Sequence, residues 1–139
     1  MLLETGAAMN QARDDGFTPL LIACQNNHVD IARLLLEASA AVNQAAEDGT
    51  TPLFVACQED KVEVVRLLLE TGAAMNQARD DGFTPLLIAC QNNHVDIARL
   101  LLEASAAVNQ AAEDGTTPLF VACQEDKVEV VRLLLETGA

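Results

Sequence analysis

The 139-residue chain reads as an all-α solenoid of stacked helix–turn–helix units with projecting hairpin-like loops. Three observations predict this. Leu2–Ala73 recurs letter for letter as Leu68–Ala139. Inside that long period lies a shorter, imperfect one of half the length, for Gly16–Asp48 and Gly49–Asp81 share 19 of 33 positions. Within each unit, apolar residues then recur at three- and four-residue spacing, the signature of one helix face. Periods of this size mark supersecondary units that cannot bury an apolar face alone and do so by stacking. Perfect identity between the two long copies points to design or very recent duplication, because drift separates copies.

The elements follow in order within Gly16–Asp48. Thr18-Pro19 opens a first helix: Thr caps free N–H groups, and Pro suits the first turn, where its missing N–H is not needed. Leu20, Leu21, Ile22, Ala23 and Cys24 are too dense for one amphipathic stripe, which predicts a short helix buried on most sides. Gln25-Asn26-Asn27 is a polar turn with helix-ending Asn. A second helix starts near His28, with Val29, Ile31, Ala32, Leu35 and Leu36 inward and Asp30, Arg33 and Glu37 outward. Asp30 in its first turn favours the positive end of the helix dipole. Ser39 closes this helix where the sister unit has Gly72, the better residue for a left-handed cap. Ala40–Gly49 has no helical punctuation and ends in Asp-Gly, a tight hairpin-like turn into Thr51-Pro52.

Composition narrows the function. Half the residues are apolar, ample for a packed core, and the only aromatics are four Phe. The formal charge of −13, from 21 acidic and 8 basic residues, repels phosphate backbones and anionic membranes, so neither nucleic acid nor membrane is an expected partner. A basic or neutral protein surface is compatible; the same charge also serves simply as a solubility field. Met1–Gly6 has neither a basic head nor a long apolar run, and no stretch approaches the roughly 20 apolar residues of a span. A cytoplasmic protein without signal peptide is expected. Cys24, Cys57, Cys90 and Cys123 recur once per unit, too far apart on stacked helices for disulfides and too regular for a CxxC-type metal site. Small buried thiols are expected.

Gly49-Thr50-Thr51-Pro52-Leu53, Val62-Glu63-Val64-Val65-Arg66-Leu67-Leu68-Leu69 and Gly72-Ala73-Ala74-Met75-Asn76 together resemble the ankyrin repeat. The likeness covers the whole chain in register. It departs where the family has His after Thr-Pro-Leu, since Leu21, Phe54, Leu87 and Phe120 stand there. It departs again between the helices, where the expected Gly is Asn27, Asp60, Asn93 or Asp126, and in the loop, where the expected acid is Arg13, Ala46, Arg79 or Ala112. The resemblance implies one domain: a partial repeat at 1–15, full repeats at Gly16–Asp48, Gly49–Asp81 and Gly82–Asp114, and a helix pair at 115–139 without its exit loop.

The same resemblance implies partner binding through loop tips and the concave face of the first helices. Carried over by position, the candidates are Asp14, Asp15, Phe17, Gln25 and Asn26 in the first full repeat. Glu47, Asp48, Thr50, Gln58 and Glu59 follow, then Asp80, Asp81, Phe83, Gln91 and Asn92. The last set is Glu113, Asp114, Thr116, Gln124 and Glu125. Phe17 and Phe83 are the large apolar anchors of this set, in the manner of a hot spot, unless each ring packs on its own loop.

Catalysis lacks an inventory. His28 and His94 are copies of one helix-start position and read as junction residues, not ligands. Ser39 and Ser105 have no His–acid relay nearby, and Asp14-Asp15 is an exposed tip without a pocket to raise a pKa. No catalytic residue, metal or cofactor is expected. The leading expectation is a non-enzymatic protein-interaction scaffold, engineered from a duplicated two-repeat unit. A second follows from the ends, since Leu20–Cys24 and Val128–Leu135 are as apolar as the interior and carry no polar cap. A self-assembling module, joined head to tail as a homo-oligomer, answers that oddity. A fragment of a longer natural array is the third.

Overall fold

A computed structural model describes residues 8–139. Among the described residues eight helices alternate between two lengths: α1 (Pro19–Gln25), α2 (Val29–Glu37), α3 (Pro52–Gln58), α4 (Val62–Glu70), α5 (Pro85–Gln91), α6 (Val95–Glu103), α7 (Pro118–Gln124) and α8 (Val128–Glu136). No strand occurs among the described residues. The chain is an all-α solenoid, as its period predicts.

Each short helix starts by the device the sequence announces. Thr18, Thr51, Thr84 and Thr117 hold extended backbone, and each hydroxyl accepts from the amide three residues on, at 3.1–3.2 Å. Such a cap contributes about 1 kcal/mol. The turn into the second helix needs a left-handed residue, supplied by Asn27, Asp60, Asn93 and Asp126 at φ of 57–59°. Their short polar side chains tolerate that region better than most. The second helices end in the same conformation at Gly72 and Gly138, but also at Ser39 (φ 69°) and Ser105 (φ 71°). There a Cβ costs about 1 kcal/mol.

The short helices α1, α3, α5 and α7 pack in one row and the longer α2, α4, α6 and α8 in a second. The core is therefore a strip along the stack. In its middle, every residue of Pro52–Cys57 and of Pro85–Cys90 is buried, which accounts for the unbroken apolar runs there. Three buried cysteines, Cys24, Cys57 and Cys90, lie on this strip as free thiols. Cys123 corrects the expectation of four buried thiols, for it is exposed. Among the described residues no further helix pair covers it.

His94 joins neighbouring repeats. Its Nδ1 lies 2.8 Å from the carbonyl oxygen of Cys57, and since a carbonyl only accepts, the ring donates from Nδ1. His28, its copy two repeats earlier, is exposed and makes no side-chain cap. Both histidines stand at the N-cap of a second helix, but neither side chain caps it, and the His94 bond runs to the preceding repeat instead.

Candidate partner-binding surface

The loops between repeats begin from a closed backbone turn. Gly49 N–H donates to Ala46 O at 2.9 Å, and Ala46 N–H donates to Thr50 O at 2.8 Å. The same pair of bonds recurs around Gly16, Gly82 and Gly115. Neighbouring loops are then stitched together: Glu47 N–H donates to Asp15 O (3.0 Å), Asp80 N–H to Asp48 O (2.9 Å) and Glu113 N–H to Asp81 O (3.1 Å). These close approaches need glycine. A Cβ on Gly82 would stand 2.4 Å from Glu113 N, and its φ of 84° is left-handed besides.

A second ladder uses side chains. Asn10, Asn43 and Asn76 each accept at Oδ1 from the backbone amide of the following repeat (Ala41, Ala74, Ala107), all at 2.9 Å. The loops therefore form one row fixed to one another.

Within this row the acids have two jobs. Asp15, Asp48, Asp81 and Asp114 accept at Oδ1 from the amide two residues on, each at 3.0 Å. All four carboxyls sit below the usual range. For Asp15 and Asp81 the main cause is the hydrogen-bonded guanidinium of Arg13 or Arg79; for Asp48 and Asp114 it is hydrogen bonding from Thr50 or Thr116. These acids shape the turn. Their neighbours Asp14, Glu47, Asp80 and Glu113 are exposed and make no ion pair among the described residues, so their charge is directed at solvent.

The arginines fold back onto the loops. Arg13 and Arg79 pair with Asp15 and Asp81 at 2.6 Å. Arg13 lies 5.6 Å from the Phe17 ring centre, and Arg79 lies between two rings, 4.6 Å from Phe54 and 5.8 Å from Phe83. At Arg79, the better covered of the two, stacking shields the side chain while leaving its fork on the carboxylate. Phe17 and Phe83 are half-buried, packed against the edge of the core.

What is left open is a pair of shallow recesses. One, of about 480 Å³, is lined by Asp15, Phe17, Ala46, Glu47, Asp48 and Asp80. The other, of about 500 Å³, is lined by Asp81, Phe83, Glu113 and Asp114. Each sets a Phe edge among carboxylates. The structure thus brings together nine of the loop positions the sequence singles out. Asp14 lies exposed beside the first recess, Thr50 is buried and Thr116 half-buried.

The remaining candidates stand apart. Gln25, Gln58, Gln91 and Gln124 end the short helices, and Asn26, Glu59, Asn92 and Glu125 are their exposed caps. The length of a short helix, about 10 Å, separates them from the loops. They form a second polar row beyond the recesses. The most exposed Phe is one the sequence reading leaves out of the surface: Phe120, 61% accessible, on α7.

Ser39 and Ser105 are helix-end residues, exposed and held by backbone geometry. Burial pushes the Cys24 and Cys90 thiols up to about 12 and the Cys57 thiol higher still, away from the reactive thiolate. Among the described residues no three His, Cys, Asp or Glu side chains converge as metal ligands, and no helix is long and apolar enough to cross a membrane.

The sequence matches the family described as ankyrin repeats (3 copies) over residues 1–79 and 71–139, which together span the chain. No curated protein sequence matches it. Ankyrin repeats generally mediate protein–protein interaction, and proteins built from them are typically not enzymes. With its paired helices, left-handed turns and ladder of loops in register with that match, the chain belongs to the ankyrin repeat family.

Proposed function

We propose that this chain is a non-enzymatic protein-interaction scaffold, engineered by duplicating a two-repeat unit, whose loop row binds a basic protein surface in preference to a neutral one. The observation that carries the binding reading is the pair of recesses, in which a half-buried Phe stands beside Glu47, Asp80 and Glu113, carboxylates that make no ion pair among the described residues. Such a surface fits an extended segment that alternates Lys or Arg with small apolar side chains. The cations would meet Glu47, Asp80 and Glu113, and an apolar side chain would meet Phe17 or Phe83. The letter-for-letter recurrence supports an origin by copying, since it repeats the recess at a spacing of two repeats. That arrangement suits a partner that is itself repetitive.

Surface-immobilised chain, probed with Lys/Arg-containing peptides and with neutral peptides of the same length, tests the reading. Binding of the basic set that weakens steeply with salt and is lost in Glu47→Lys/Asp80→Lys/Glu113→Lys is expected. Equal binding of both sets, or binding indifferent to those three reversals, would overturn it.

A further inference from the structure

The face of α7 and α8 that points away from α5 and α6 is uncovered. Phe120, Val128 and Leu135 are exposed there, and the latter two border a groove of about 440 Å³ lined also by Cys123, Val131 and Arg132. At the other end of the stack Ile31 and Leu34 of α2 are exposed. The sequence states what fits between these two ends. Residues 107–139 are identical to 41–73, and residues 8–40 are identical to 74–106. Inside the chain, 41–73 is covered by 74–106.

We infer that the α7/α8 face binds the α1/α2 face of a second copy of this chain, reproducing the internal interface between α3/α4 and α5/α6 and generating an open head-to-tail stack.

The internal interface tells what each group meets. There Phe54 is fully buried under Arg79, and Ile97 is fully buried, while Phe120 and Ile31 are 61% and 51% exposed. At the joint, the second copy's Arg13 covers Phe120 and its Ile31 enters the place that Ile97 fills internally. Polar groups are matched as well. His94 Nδ1 bonds Cys57 O inside the chain, so the second copy's His28 meets the Cys123 carbonyl. Ala74 N–H bonds Asn43 Oδ1 inside, so the second copy's Ala8 meets Asn109. Asp80 N–H bonds Asp48 O inside, so the second copy's Asp14 meets Asp114 O, with its Arg13 close to the Asp114 carboxylate.

Residues 8–139 span a whole number of repeat periods, so copies joined this way continue the period in phase. Met1–Ala7 carries the phase of residues 133–139, and only one of the two segments can occupy that place at a joint. The joint is therefore weaker than the internal interface, and its formation depends on concentration. Each copy also brings a formal charge of −13, so added salt strengthens association. A heterologous contact of this kind leaves a free end on every assembly and does not close.

Sedimentation of the full chain over a concentration series tests the inference, with two variants, Phe120→Glu and Ile31→Glu, that alter exposed residues at opposite ends. Circular dichroism verifies that both remain helical. Expected is an average mass that climbs above the 14.8 kDa of one chain without levelling at a dimer. Each variant alone stays at the single-chain mass, and an equimolar mixture doubles it, since one variant keeps its head and the other its tail. A wild-type chain that stays at 14.8 kDa throughout would overturn the inference. So would either variant associating alone as wild type does, or a mixture that fails to double.

Discussion

Residues 41–73 and 107–139 are the same letters in two settings. In the interior copy Phe54, Val55 and Cys57 are buried; in the terminal copy Phe120 and Cys123 are exposed while Val121 stays buried. Both copies have the same helices, the same Thr cap and the same left-handed Asp between helices. Secondary structure here is thus local, set by Thr-Pro starts and left-handed stops. Burial belongs to the neighbour. Covering one large apolar side chain contributes about 1.5–3 kcal/mol, so the two copies differ greatly in what holds them although their sequences do not.

The largest effect expected from this contrast comes from paired truncations. Phe54→Ala opens a cavity at the centre of the stack and lowers stability by about 3–5 kcal/mol. Phe120→Ala, in dilute solution, changes it by less than about 0.5 kcal/mol. Urea denaturation followed by circular dichroism measures both, and equal losses would break the comparison. The glycines offer the next contrast. A Cβ on Gly49 would stand 2.7 Å from Asp80 Oδ1 and 2.9 Å from Asp80 N, whereas one on Gly115 meets nothing within 4 Å. Gly49→Ala carries both the clash and the left-handed strain, about 2–3 kcal/mol, and Gly115→Ala the strain alone, about 1 kcal/mol. The same urea titration separates them.

Smaller again is the histidine pair. His94→Ala removes the bond to Cys57 O and costs about 1 kcal/mol, while His28→Ala is close to neutral in the single chain. The smallest effect is electrostatic. Because the Asp81 carboxyl is held below its unfolded value, chiefly by Arg79, its stabilisation is present above the ordinary carboxylate range and is lost as pH falls through the lowered value. Asp81→Asn should therefore flatten the acid limb of the stability profile. Arg79→Ala should flatten it in the same way, read as the urea midpoint against pH.

Much of this architecture is legible in the letters. The shorter period gives the stack, Thr-Pro gives each short helix, and Asn27 and its counterparts give the turns. The loop candidates Asp15, Phe17, Glu47, Asp48 and Asp80 do converge on one recess. Other features depend on neighbours that a period cannot distinguish. Cys123 has the same surroundings in sequence as Cys57, and His28 the same as His94, yet each pair is divided by what lies next in the stack. The division of labour among loop acids is hidden for a related reason. Asp15 and Asp14 are adjacent identical letters, and only the turn geometry aims one at the Phe17 amide and the other at solvent. Burial of Thr50 and the Asn10–Asn43–Asn76 ladder follow from packing between loops, which no single repeat contains.

A repeat's burial is conferred by the next one in the stack. Thiol labelling of the native chain, read residue by residue by mass spectrometry in dilute solution at neutral pH, tests it most directly, because the four cysteines occupy one position of the repeat. Cys123 is expected to react at once, while Cys24, Cys57 and Cys90 react only as fast as the protein unfolds. Labelling of Cys57 or Cys90 at the rate of Cys123 would contradict it.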